Sequence, residues 1–322
     1  MRAWRGHAYG PPESLAWEEV ADAPLADGEV RVEVRAAAVN FPDVLYVAGL
    51  YQVKPTPPFV PGHEAAGVVV ESRAPGIAVG TRAAVFPGAN AFATHVTVPA
   101  TRAFPIDDAM SFEDAAAMTL TYQTGWFGLH RRAQLQAGEW LLVHAGAGGV
   151  GSAAIQLGKA AGARVIATAG GADKVALCRK LGADHAVDYR SEDFAAVVKD
   201  VTRGHGADVV YDPVGGDVFD RSTKCIAFEG RIVIVGFTSG RIAEARTNHL
   251  LLKNYAVVGL HWGRYAEVDP GAIASAQARI YALYREGKVK PLISETLPLA
   301  EAPAAMTRVA GRGSTGKIVL VP

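Results

Sequence analysis

The chain has 322 residues, half of them hydrophobic, and 32 basic side chains against 32 acidic ones. That length fits one large domain or two ordinary ones with a core to fill, and a net charge of zero without a Lys/Arg block speaks against nucleic acid or an anionic membrane as partner. No apolar run reaches the roughly 20 residues of a membrane helix, the opening residues lack a signal peptide's apolar stretch, and Cys178 and Cys225 stand apart without partner motifs, so the expectation is a cytoplasmic protein without disulfides.

Residues 1 to about 118 read as β-rich. Between Glu29 and Ala37, Val30, Val32 and Val34 alternate with Arg31, Glu33 and Arg35, the pattern of a half-buried strand. Strand candidates follow at Gly67–Glu71, Thr81–Phe86 and Ala93–Val98, separated by Pro57-Pro58, Pro61-Gly62 and Pro75-Gly76 turns. From about residue 119 strands and helices alternate: strands at Leu141–His144, Arg164–Ala169, His185–Asp188, Asp208–Asp212, Arg231–Gly236 and Val257–Leu260, and helices at Val150–Ala161, Ala172–Leu181 and Ser191–Thr202. This is the βαβ alternation of a doubly wound parallel sheet, an α/β fold. Ile273–Glu286 has helical spacing with Gly287 as its stop, and Gly316–Val321 is a last strand expected to return to the first domain.

The most informative segment is the turn between the first strand of that sheet and its helix. Gly146, Gly148 and Gly151 fit the G-x-G-x-x-G spacing of a dinucleotide site, with Gly149 and Val150 opening the helix. One glycine serves the tight turn, one the approach of backbone to a pyrophosphate, and one the packing of helix on strand. The helix N-terminus adds free N–H groups for the phosphates. A carboxylate about 20 residues further on would hold the ribose 2′-OH of NAD. Here the second strand ends in Ala169-Gly170-Gly171 without one. Asp173 reads as a cap or first-turn charge of the next helix, and Lys174 adds a cation where a 2′-phosphate would sit.

Asn40-Phe41-Pro42-Asp43, Gly49-Leu50-Tyr51-Gln52, Pro61–Gly67, Ala145–Gly151 and Gly316–Leu320, in this order, resemble the medium-chain dehydrogenase/reductase superfamily, and within it the zinc-free quinone oxidoreductases. The resemblance runs over nearly the whole chain. It implies a β-rich, barrel-like (GroES-like) catalytic domain from residues 1–118 and 265–322, with a Rossmann domain inserted at 119–264 and the cofactor in the cleft. It also implies a homodimer, with 232–235 as a candidate edge for sheet-to-sheet pairing.

Gly62-His63-Glu64 matches the zinc-ligand motif of the alcohol dehydrogenases in that superfamily. Yet Asn40 takes the place of their first cysteine ligand, no cysteine lies near Tyr122, and Phe86–His95 lacks the structural-zinc cysteines. Three ligands and an open position are needed, so no metal is expected, and His63 is read as lining the cleft or bonding locally. The resemblance also implies that Lys174 and Tyr189 hold the 2′-phosphate of NADPH. Thr124, Gly236, Phe237, His261 and Trp262 would lie along its nicotinamide half, and Glu64 would sit near Lys317 and the pyrophosphate.

Without a metal, the negative charge that hydride transfer leaves on an acceptor must meet hydrogen-bond donors or a proton source. Asn40, through its amide, and Tyr51, through its hydroxyl, are the candidates, with Asp43 as an orienter. The expected reaction is NADPH-dependent reduction of a quinone or similar conjugated carbonyl. The alternatives are reduction of an enone, enal or enoyl thioester at its double bond and, in another class, a redox-quiet nucleotide-binding protein.

Overall fold

The computed structural model describes residues 1–311 and 313–322. The chain forms two compact units, Met1–Leu120 with Pro291–Pro322, and Thr121–Lys290. The first is built on a seven-stranded sheet. Its order is Ile293–Pro298, Lys317–Val321, Glu29–Val39, Ala65–Ser72, Arg82–Val85 and Ala103–Pro105, with His95–Pro99 also paired to Glu29–Val39. The long strand Glu29–Val39 shows how its sequence makes the core. Val30, Val32 and Val34 are buried while Arg31 and Glu33 stay partly open, and from Ala36 to Val39 every residue is buried. There the alternation gives out because the side chains on both faces of the strand are buried, while Lys317–Val321 and Ala65–Ser72 pair with its two edges. Gly67 lies opposite the irregular register at Val34/Ala36; a side chain there would collide with the Glu33 carbonyl. The last strand thus does return to the first unit, as expected.

The second unit carries six parallel strands in the order His185–Asp188, Arg164–Ala169, Trp140–Val143, Ala207–Asp212, Ile226–Ile234, Ala256–Gly259. This is the doubly wound order, with the reversal between Trp140–Val143 and Ala207–Asp212. Leu141, Leu142 and Val143 are wholly buried, and eight consecutive residues of the helix Gly149–Ala160 are buried. Three expectations need correction. The strand expected at Arg231–Gly236 runs from Ile226 to Ile234 and has a neighbour on both sides, so it is no edge; Ala256–Gly259 is. The helix expected from Ser191 begins at Phe194, because Asp193 caps it by accepting the Ala195 N–H at 3.0 Å. The segment 265–290, assigned from the sequence to the catalytic domain, packs with the nucleotide unit: in its helix Pro270–Arg285, Gln277 Oε1 and the Ile273 carbonyl accept the Gln123 amide at 2.7 and 3.1 Å.

Candidate functional site

In the first unit, the helix Phe41–Val47 starts at Asn40, whose N–H is accepted by Asp43 Oδ2 at 2.7 Å. Asp43 is fully buried, and its other oxygen accepts His63 Nδ1–H. His63 is held in turn by two rings edge-on, Tyr46 at 5.6 Å and Tyr51 at 5.5 Å between centroids. Its Nε2 is buried without a hydrogen-bond partner among the described residues. Tyr51 follows Gly49, which takes φ +68° and has the Tyr9 ring where a Cβ would be, so the chain can turn there only as glycine. Burial first, and the Asp43 charge second, push the Tyr51 phenol above its ordinary range. Its hydroxyl has no hydrogen-bond partner among the described residues. Asp43 therefore spends one oxygen on the Asn40 N–H and the other on His63.

Beside this pair lies a buried ion pair. Glu64 Oε1 accepts from Lys317 Nζ and from Asn40 Nδ2, each at 2.9 Å, and Glu64 Oε2 accepts the Leu120 N–H at 2.6 Å. Lys317 also donates to the Val39 carbonyl at 2.9 Å and to Asn40 Oδ1. Asn40 gives its second amide hydrogen to the Ala38 carbonyl at 3.1 Å. Two expectations change on this count of donors. An ammonium has three hydrogens and an amide two, and all of them are used inside the protein. Lys317 therefore has none for a pyrophosphate, and Asn40 none for an acceptor oxygen; both instead fix the junction of three strands and the helix start.

The residues do not fit a metal. The single His in the zinc-ligand position spends Nδ1 on Asp43, Asn40 replaces a thiolate, and no three His, Cys, Asp or Glu side chains among the described residues converge to hold an ion.

In the second unit, the glycine turn follows Trp140–Val143. The residue with left-handed backbone is Ala145, at φ +51°, not a glycine. The glycines act by absence. A side chain on Gly146 would strike Cys178 Sγ at 2.8 Å, and one on Gly151 would overlap the Ala145 carbonyl. Gly148 is the extended cap of the helix and has only the Ala145 carbonyl, 3.3 Å away, near its open face. Gly149 and Val150 begin the helix, so a run of bare backbone meets a helix N-terminus. Cys178 is packing beneath this turn, and burial pushes its thiol up to about 11.

At the end of the second strand Gly171, at φ +94°, caps the helix Ala172–Lys180, and Asp173 lies in its first turn rather than capping it. Lys174 stands on that turn. Tyr189 is half exposed, with its hydroxyl 2.6 Å from where a Gly170 Cβ would be, and Arg190 Nε comes within 3.0 Å of the same point. Asp188 Oδ1 accepts from Gly171 N and Arg190 N, each at 3.0 Å, which fixes Tyr189 and Arg190 over the two glycines. Sequence reasoning missed Arg190; a cation next to the tyrosine already singled out was the available signal. Of the residues expected along the nicotinamide, Phe237 is part-exposed over Gly215 beside Gly236, and His261 is exposed. Thr124 is buried in its helix. Trp262 is buried, and its indole N–H goes to Gln123 Oε1 at 3.3 Å, so its side chain is committed to the unit's interior.

The chain matches two family models, the alcohol dehydrogenase GroES-like domain over residues 26–108 and the zinc-binding dehydrogenase over 149–278. It is 38% identical over 301 residues to a quinone oxidoreductase-like protein 2 homolog of Nematostella vectensis, spanning 92% of this chain and 82% of that one. It is 32% identical over 330 residues to a 2-haloacrylate reductase of Burkholderia sp, spanning 98% and 97%. The crystal structure of Escherichia coli quinone oxidoreductase complexed with NADPH covers both chains entirely, at 32% identity and a TM-score of 0.94. The chain therefore belongs to the quinone oxidoreductase branch of the medium-chain dehydrogenase/reductase superfamily.

Proposed function

We propose that the protein is an NADPH-dependent oxidoreductase that reduces a quinone or a similar conjugated carbonyl. The observation that carries the reading is the end of the second strand. It offers two glycines, Tyr189, Arg190 and Lys174 in place of a ribose-binding carboxylate. A 2′-phosphate meets cations and a hydroxyl there; in an NAD site it would meet an acid. The bound cofactor supplies hydride from its reduced nicotinamide. The bare backbone from Gly146 to Gly151 accommodates the pyrophosphate, and Gly236, Phe237, His261 and Thr124 are the proposed neighbours of the nicotinamide half. Tyr51 is the proposed donor to the oxygen that becomes negative, since Asn40 has no free N–H.

Reduction of an activated carbon–carbon double bond is the second reading, favoured by the 2-haloacrylate reductase among the relatives. The same donor serves both, because each reaction leaves charge on a conjugated oxygen. The protein is further proposed to be cytoplasmic, in keeping with two buried free cysteines and no helix among the described residues long and apolar enough to cross a membrane. A homodimer through the edge strand Ala256–Gly259 is supported by the helix leading into it, Thr247–Lys253, which buries none of its residues and exposes Leu251 and Leu252; a monomer in sedimentation would overturn that part.

The test is a steady-state screen with NADPH and NADH against quinones and against small enones. Lys174→Ala and Arg190→Ala are each expected to raise the KM for NADPH by about 10-fold or more, the loss of one charge-assisted hydrogen bond, and to leave NADH unchanged. Equal losses with both cofactors overturn the assignment. Turnover of enones alone selects the second reading, and tight NADPH binding with no consumption leaves only a nucleotide-binding protein.

A further inference from the structure

We propose that Asp43 and His63 are the proton reservoir of the reduction, refilling Tyr51 after it has protonated the acceptor. This rests on the functional reading above and adds to it a relay with named atoms. Buried polar atoms in folded proteins are nearly always paired. His63 Nε2 is not, although the far side of the same ring is clamped by a buried carboxylate. Two rings pack edge-on against it, Tyr46 and Tyr51, and neither hydroxyl has a hydrogen-bond partner among the described residues; Tyr51, the less buried of the two, is the one open to an acceptor. A donor and an acceptor thus lie on adjacent rings, each without a partner. The two are not hydrogen-bonded to each other here, and the relay requires them to meet when the reacting complex forms.

The chemistry balances. Hydride transfer to a quinone leaves one ring oxygen as an anion. The Tyr51 O–H bond breaks as the new O–H bond on the acceptor forms. The His63 Nε2–H bond breaks as the phenol is restored, which leaves a neutral imidazole whose Nδ1–H stays on Asp43. Solvent then returns a proton to Nε2. Asp43 holds the tautomer and balances the imidazolium, the part a carboxylate plays behind any catalytic histidine. Asp43 and Tyr46 face the imidazole from the helix Phe41–Val47, and Tyr51 faces it from the segment beyond. Tyr9 bears on Tyr46 across Phe59. Glu64, next in the chain, is turned to Lys317, Asn40 and Leu120. His63 and Asp43 are positioning residues in this scheme, and Tyr51 is the group that meets the acceptor.

The experiment measures kcat and KM with NADPH and 1,4-naphthoquinone across pH for the full-length wild type, His63→Gln, Tyr51→Phe and the double variant. It adds side-chain 15N NMR of the histidines without acceptor, the His63 signal being the one lost in His63→Gln. Wild-type kcat is expected to fall as pH rises, because the deprotonated imidazole cannot refill the phenol. His63→Gln is expected to lose about 10²-fold in kcat on the acid side, the size of a general acid–base contribution, with KM little changed and the pH limb flattened. Tyr51→Phe does the same, and the double variant is no worse than either. The His63 resonance is expected to show Nδ1 protonated in the neutral form and to titrate with the midpoint of the kinetic limb. An unaltered limb in His63→Gln, multiplying losses in the double variant, or a neutral form protonated on Nε2 overturns the relay alone. Absence of turnover by the wild type with quinones and enones alike overturns the functional reading and the relay together. If His63→Gln does not fold, Tyr51→Phe, which keeps its ring, decides the point by its pH limb.

Discussion

In the first unit Lys317 and Glu64 are buried as an ion pair, with Asn40 bonded to both. In the second unit a buried titratable side chain just before the glycine turn, His144, is bonded only to hydroxyls. Both sites satisfy their polar groups, but with opposite electrostatics. The first keeps two charges out of water and relies on each to offset the other's desolvation. The second keeps no charge at all: burial, with a smaller contribution from Arg221, pushes the His144 imidazole down to about 3. The difference follows what each place must do. Three strands and a helix start converge on Lys317 and Glu64, where a directional, charged knot specifies one arrangement. The nucleotide turn must leave its backbone bare for phosphates, and a neutral histidine beneath it adds no competing charge.

The strongest way to break this comparison is to remove one charge. Lys317→Met leaves Glu64 and Asn40 buried with an unmatched carboxylate, and is expected to cost about 3–5 kcal/mol in urea unfolding. Adding Glu64→Gln to it is expected to restore most of that loss, because the penalty lies in the orphaned charge. A Lys317→Met variant as stable as the wild type would show that the pair specifies nothing.

The contrast also explains what could be read from the sequence. The glycine turn is local: strand, turn and helix lie within about 20 residues, each glycine has its own steric reason, and the absent acid and Lys174 follow close behind. The charged knot is not local. Lys317 and Glu64 are 253 positions apart, and Asp43 and His63 are 20 apart in segments without periodicity. Resemblance put Lys317 near Glu64, but only the donor count shows that neither Lys317 nor Asn40 has a hydrogen to spare. The helix Phe112–Trp126 left no mark in the pattern because Ala115–Met118 are all wholly buried, and a helix covered on every side has no polar stripe. The boundary near residue 290 was out of reach because 265–290 is tied to the nucleotide unit by long-range contacts, Gln123 meeting Gln277 among them. The edge strand was misplaced by one position, since the order of strands in a sheet is a long-range property.

A smaller intervention tests whether the nucleotide turn really depends on absent side chains. Gly151→Ala puts a methyl group into the Ala145 carbonyl, and Ala145 is already left-handed. Overpacking of this kind costs about 1–3 kcal/mol. The helix must move away from the turn, so NADPH affinity is expected to fall by more than 10-fold in a fluorescence titration. Gly148→Ala, with only a 3.3 Å approach to that carbonyl, is expected to lose less stability than Gly151→Ala. Equal behaviour of the two variants would mean that close packing at Gly151 is not what the motif protects.

The finest test asks whether His144 is neutral, and its sign can be worked out from the bonds. Ser222 gives its one hydroxyl hydrogen to the Val218 carbonyl at 2.7 Å, so Ser222 Oγ must accept from His144 Nε2–H at 2.8 Å. Thr168 then donates to Nδ1 at 3.0 Å. A proton on Nδ1 would break that bond and bury a charge, which is why the folded state refuses it down to about 3. The unfolded chain accepts it near the ordinary histidine value of about 6.5. Between those two values the unfolded state binds one more proton, so His144's contribution is complete above about pH 6.5 and is lost as pH falls, by up to about 1.4 kcal/mol per pH unit. In His144→Gln this position no longer titrates. The stability gap between wild type and His144→Gln, read from urea unfolding at pH 8, 6 and 5, is therefore expected to be constant from 8 to near 6.5 and to shrink by about 2 kcal/mol by pH 5. A gap that stays the same at pH 5 would mean that the folded protein accepts a charge at His144, and the two units would then differ only in which charges they bury.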